Sequence, residues 1–152
     1  TNYTDGDMSA VFEMLGHPNT LIGLGDGGAH VGIMCDATDM AHTLTHWTRD
    51  RRRGPKRQVE DMVRRLTFAN AEAMGLRDRG LIQIGMQADI NIIDYDGLKL
   101  RRPEVVYDLP AGGKRILQQS DGFKATILKG EPVWRDGQPT DALPGRLLRA
   151  GS

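Results

Sequence analysis

Residues 21–36 read LIGLGDGGAHVGIMCD, a short apolar run that opens into a cluster of glycines around one carboxylate and one histidine. Ile22 and Leu24 suit a buried strand, while Gly23, Gly25, Gly27 and Gly28 let the backbone turn sharply and approach a ligand without Cβ clashes. Asp26 is thereby placed where a strand ends. In a parallel (β/α) barrel that end faces the mouth where the chemistry is done, so position and residue type agree on a catalytic loop. Asp before Gly is also a common turn pair that caps the next segment, and the local pattern leaves both readings open.

Two nearby patterns point elsewhere. Gly23, Gly25 and Gly28 satisfy G-x-G-x-x-G, which in a dinucleotide-binding unit is followed by a helix, a second strand and an acidic residue about 20 positions on. Asp50 stands near that distance, but inside Thr48-Arg49-Asp50-Arg51-Arg52-Arg53 with no β-branched strand before it, and the nucleotide reading is set aside. His42 and His46 have the spacing of the zinc motif H-E-x-x-H, yet position 43 is Thr and the general base is missing. The pair reads as packing or hydrogen bonding, with His46 beside Trp47 structural.

Around the loop the pattern is helical. Asp7 can cap a helix that carries Met8, Val11, Phe12 and Leu15 at helical spacing and is stopped by Gly16 and Pro18. Asp36 or Asp39 starts a second helix with Met40, Leu44 and Trp47 on one side. Val59, Met62, Val63 and Leu66 then repeat at i, i+3, i+4, i+7, and residues 70–74 make one more turn ended by Gly75. These stripes are expected to be core faces. Near residues 75–80 turn pairs and β-rich runs take over: 88–95 (ADINIIDY) alternates like a strand, 105–107 and 115–119 are weaker candidates, and 125–129 with 132–135 flank a turn at Gly130-Glu131.

Lys and Arg number 20 and Asp and Glu 20, so no bulk charge favours nucleic acid or an anionic membrane. The basic run over 49–57 (RDRRRGPKR) fits a solvated connection, or a contact to phosphate or an acidic partner. No apolar stretch approaches the roughly 20 residues of a membrane-spanning helix, and no charged-then-apolar leader opens the sequence. Cys35 is the only cysteine, which excludes a disulfide within the chain and fits a reducing compartment, with the cytoplasm expected, or a protein that does not rely on bridges.

With GLGDGGAHVGIMCDA (23–37), THWTRDRRRG (45–54), GLRDRGLIQIGMQADINIID (75–94), VYDLPAGGKRILQQSDGFKATILKGEPVWRDG (106–137) and ALPGRLLR (142–149) in this order, the chain resembles the C-terminal part of D-aminoacylase-type enzymes. These are the N-acyl-D-amino-acid deacylases of the amidohydrolase superfamily, amidohydrolase family 3. That family more commonly has Ser where this chain has Gly25.

The resemblance implies that Asp26 follows the last barrel strand, contacts a catalytic Zn²⁺ and acts as general base and acid, with Gly27, Gly28 and His30 at the substrate. His30 has the alternative of hydrogen-bonding its own loop. Amide hydrolysis needs a base for the attacking water and an acid for the leaving amine, and one carboxylate can serve as both. The other metal ligands are expected outside this chain, because His17, His30, His42 and His46 with Cys35 offer no closed set.

A complete (β/α)8 barrel takes about 250 residues. The expected fold class is therefore α/β plus β: residues 1–76 as the last βα unit or units and terminal helices of a metal-dependent hydrolase barrel, and 77–152 as part of a small β-sandwich domain. The expected partners are a small-molecule N-acyl amino acid, the remainder of the barrel and, as a further candidate, a second copy of the chain; the first residue, Thr1, agrees with a missing N-terminal portion. Two competing readings are a noncatalytic β-rich interaction module and a cyclic amidase of hydantoinase or dihydroorotase type.

Overall fold

The computed structural model describes residues 7–23, 25, 28, 30–33 and 36–148. Helix α1 (Ser9–Gly16) begins after Met8, and the Asp7 carboxylate accepts the Ser9 N–H at 2.8 Å. That bond satisfies one of the donors a helix start leaves free and holds the Asp7 carboxyl below its ordinary pKa. A 3-10 turn at Asp36–Thr38 leads into α2 (Asp39–Thr45), which continues as a π-helical turn over His46–Asp50. Helices α3 (Val59–Leu66) and α4 (Phe68–Ala73) are separated only by a bend at Thr67, so the last helix starts two residues earlier than the sequence suggests.

Two helical expectations are corrected. Met62 is fully buried, but Val63 and Met40 are 43% and 38% exposed, because α3 and α2 each meet the core along a narrower arc than the full apolar stripe. The basic run is not simply a solvated connection either. Arg51 is buried with its guanidinium 5.0 Å from the ring centres of both Phe12 and Trp47, and Arg57 lies 4.3 Å over Phe12 and donates to the Phe12 carbonyl at 2.6 Å. Cation–π contact and carbonyl bonds take up charges that composition alone assigns to solvent.

Residues 21–23 form no strand, against expectation, and Leu24 lies outside the described residues. A strand exists through its ladder, and no other described residue of the helical half forms one. The Ile22 carbonyl instead accepts from Asn70 Nδ2 at 2.6 Å, and its buried side chain joins a cluster with Ala41, Leu44, Trp47, Met62 and Leu98.

The strands are all antiparallel. β1 (Ile90–Ile93), β6 (Phe123–Leu128), β7 (Glu131–Arg135) and β8 (Gln138–Pro139) form one sheet in the order β1-β6-β7-β8. β2 (Lys99–Leu100) pairs with β5 (Ser120–Asp121), and β3 (Glu104–Leu109) with β4 (Gly113–Leu117). Leu128 faces Glu131, so the β6–β7 turn is Lys129-Gly130 with φ 53° and 82°, one position ahead of the expected Gly130-Glu131. Such a two-residue turn needs positive φ at both positions, and Gly130 fills the second.

The fold is thus mixed, with α-helices within residues 9–73 and strands within 90–139. Leu98 carries the core across both segments, and Arg49 in the π-helical turn donates to the carbonyls of Tyr95, Asp96 and Leu98.

Candidate functional site

The glycine-rich loop leaves the helical core at Ile22, where the Asn70 side chain of α4 holds its backbone. Gly28 follows at φ 96°, and among the described residues nothing beyond its chain neighbours lies within 4 Å of where a Cβ would stand. His30 is exposed and left-handed at φ 46°, and its carbonyl accepts the Ile33 N–H at 2.7 Å, closing a turn over 30–33. Next the loop meets the β-rich half: the Val31 carbonyl accepts the Ile116 N–H of β4 at 2.7 Å, and Thr38 Oγ1 bonds Gln118 Oε1 at 2.6 Å.

Of the residues singled out from sequence, Gly28 and His30 therefore stand on one exposed turn-rich segment. Asp26 and Gly27, the proposed acid–base residue and its neighbour, lie outside the described residues, as does Cys35. Asn70, Ile116 and Gln118 carry no sequence signal of their own. Their partners are remote in the chain, and a lone Asn in a helical turn or a Gln after a strand reads as surface.

The histidines do not assemble a metal centre. His42 and His46 stack at 5.2 Å between ring centres, His46 sets its edge against Trp47 at 4.9 Å, and His17 Nδ1 accepts the Asn19 N–H at 3.2 Å. Among the described residues no three His, Cys, Asp or Glu side chains converge to hold a metal ion, so these residues by themselves do not fit a zinc site. Burial first, then the charges of His42 and Arg51, push the His46 imidazole below its ordinary pKa against the pull of Asp50. Its buried Nε2 has no hydrogen-bond partner among the described residues.

Residues 3–140 match the amidohydrolase family, a span that includes the whole glycine-rich loop and its contacts in α4 and β4. The chain belongs to the amidohydrolase family. A protein of Streptomyces avermitilis named as an allantoinase is 34% identical to this amidohydrolase over 110 residues, 67% of the chain and 22% of that relative. The chain thus spans about a fifth of the length of the curated relative it matches. No solved structure matches it. Amidohydrolases are generally metal-dependent. Among the described residues no helix is long and apolar enough to cross a membrane.

Proposed function

We propose that this chain contributes the acid–base carboxylate of an enzyme that hydrolyses the amide bond of N-acyl-D-amino acids. The observation that carries this reading is the amidohydrolase match over residues 3–140, a span that includes the glycine-rich loop. In this reading residues 1–76 end a (β/α)8 barrel and 77–152 form its small β-rich domain, with the remaining barrel supplied by residues beyond these 152, in a cytoplasmic enzyme.

Asp26 takes a proton from the water that attacks the acyl carbonyl and returns one to the departing amine, which a single carboxylate can do in sequence. Gly28, whose α-carbon is unobstructed among the described residues, lets the substrate approach the backbone, and the exposed His30 stands two residues on, within the same loop. Gly27 is assigned to the substrate as a further contact. Asp26, together with ligands outside the described residues, would hold a Zn²⁺ ion, whose contribution would be Lewis acidity toward the acyl carbonyl.

A second reading, opening of a cyclic amide, is favoured by the relative named as an allantoinase. One assay separates the two: the complete protein is offered N-acetyl-D-amino acids, their L-isomers, allantoin and hydantoin, and release of free amine or ring opening is followed. Cleavage confined to the D-isomers supports the deacylase; opening of allantoin or hydantoin alone replaces it with the cyclic amidase. For whichever substrate is cleaved, Asp26→Asn is expected to lower kcat by about 10²–10⁴ with the fold retained. A variant that turns over like the wild type removes Asp26 from the mechanism.

A further inference from the structure

Amide hydrolysis gives no task to the run Arg51-Arg52-Arg53, which follows the π-helical turn. All three residues line an open cleft of about 360 Å³, together with His46, Asp7 and Asp50. Among the described residues no carboxylate forms an ion pair with any of the three. Asp50 is already taken up by Arg49, whose Nε and Nη2 reach its two oxygens at 2.7 and 3.1 Å, so Asp7 is the one uncompensated acid of the cleft. Arg51 is buried and its guanidinium is fixed: Nη1 donates to the Pro55 carbonyl at 3.0 Å, and the ring centres of Phe12 and Trp47 lie 5.0 Å away. Gly54, left-handed at φ 76°, leaves room for Arg51 Nη2, which stands 2.7 Å from where a Cβ would be. A cation held in this way has given up water without gaining a carboxylate, and an anion that reaches it recovers that cost. Arg52 and Arg53 are exposed and free to swing.

We propose that this cleft binds a phosphate-type oxyanion, with Arg51 as the fixed donor and Arg52 and Arg53 closing on it from solvent. The planar fork of a guanidinium matches the paired oxygens of phosphate. Three guanidinium charges against one uncompensated carboxylate leave a surplus of two, which a phosphate dianion neutralises and a monocarboxylate does not. The site stands apart from the amide chemistry, since neither Asp26 nor the amide substrate takes part in it. His46, on the same cleft, reports the event: a bound anion favours the imidazolium that burial and Arg51 disfavour.

The test titrates the complete protein with inorganic phosphate by calorimetry at about pH 8, where phosphate is a dianion, with ionic strength held by potassium chloride. Saturable binding is expected in the wild type. Arg52→Ala with Arg53→Ala, both at exposed positions, should weaken it about 10- to 100-fold while leaving the melting temperature in chloride unchanged. Arg53→Lys keeps the charge without the fork and should weaken binding less than Arg53→Ala. In NMR titrations phosphate should raise the His46 pKa in the wild type and leave it unmoved in the double variant. No saturable binding, equal binding in the double variant, or an unmoved His46 in the wild type overturns the site. Acetate bound as tightly as phosphate overturns the choice of anion. Glycerol phosphate separates the two sources of the group: binding at least as tight as that of inorganic phosphate assigns the cleft to a phosphorylated small molecule, and its exclusion assigns the cleft to free phosphate.

Discussion

His46 shows how a side chain chosen for packing brings a pH dependence with it. Its ring is held between His42 and Trp47, and its Nε2 is buried without a partner among the described residues. Burial, then His42 and Arg51, favour the neutral ring, so its folded pKa lies below the unfolded value. The unfolded state then binds more protons in the interval between the two pKa values, and stability rises with pH there. The contribution is complete above the unfolded pKa of about 6.5, declines as pH falls through it and levels off below the folded pKa. His46→Phe keeps an aromatic edge for Trp47, leaves no unpaired nitrogen and cannot titrate. Thermal melts between about pH 8 and pH 5 should therefore show a steeper loss on acidification in the wild type than in the variant. Parallel slopes would assign the dependence to other groups.

Gly122 lies between β5 and β6 at φ 104°, where an added Cβ would stand 2.7 Å from Leu98 Cα and 3.0 Å from Leu98 N. The crowded Leu98 N–H already donates to the Tyr95 carbonyl at 3.3 Å, and the Gly122 carbonyl accepts the Asp94 N–H at 2.8 Å, so neither stretch of backbone moves without straining a bond. Gly130 is equally left-handed at φ 82° but has nothing within 4 Å. Gly130→Ala should cost about 1–2 kcal/mol from conformation alone, and Gly122→Ala distinctly more, measured by urea unfolding. Equal costs would refute the close-approach argument. The same contrast between local and remote causes explains what the sequence discloses. The helices and strands β1, β3, β4, β6 and β7 could be read because period and turn residues are local, whereas the two-residue strands β2, β5 and β8 are too short to carry a period and exist through their partners. Residues 21–23 failed in the opposite sense, since an apolar run says nothing about whether a neighbour is present to pair with it. At the candidate site, a carboxylate set among glycines draws attention to Asp26, but the bonds from Asn70 and Gln118 span 48 and 80 positions and have no local signature.

Among the described residues the β-rich half leaves large apolar side chains uncovered: Ile82 is 91% exposed, Ile84 fully exposed and Leu143 92% exposed. The four-stranded sheet also ends in β1, which among the described residues pairs only with β6 and so presents an open edge. Exposed apolar area of this kind drives association wherever nothing else covers it. The 152 residues produced alone are therefore expected to self-associate, with sedimentation that shifts to larger species as concentration rises. Ile82→Ser with Ile84→Ser, which removes apolar surface while leaving the buried Met62 and Leu98 untouched, should move the distribution back toward monomer. A single monomeric species at every concentration, with a sharp melting transition independent of concentration, would show that the chain closes its own surface in solution and that the uncovered faces have no partner to wait for.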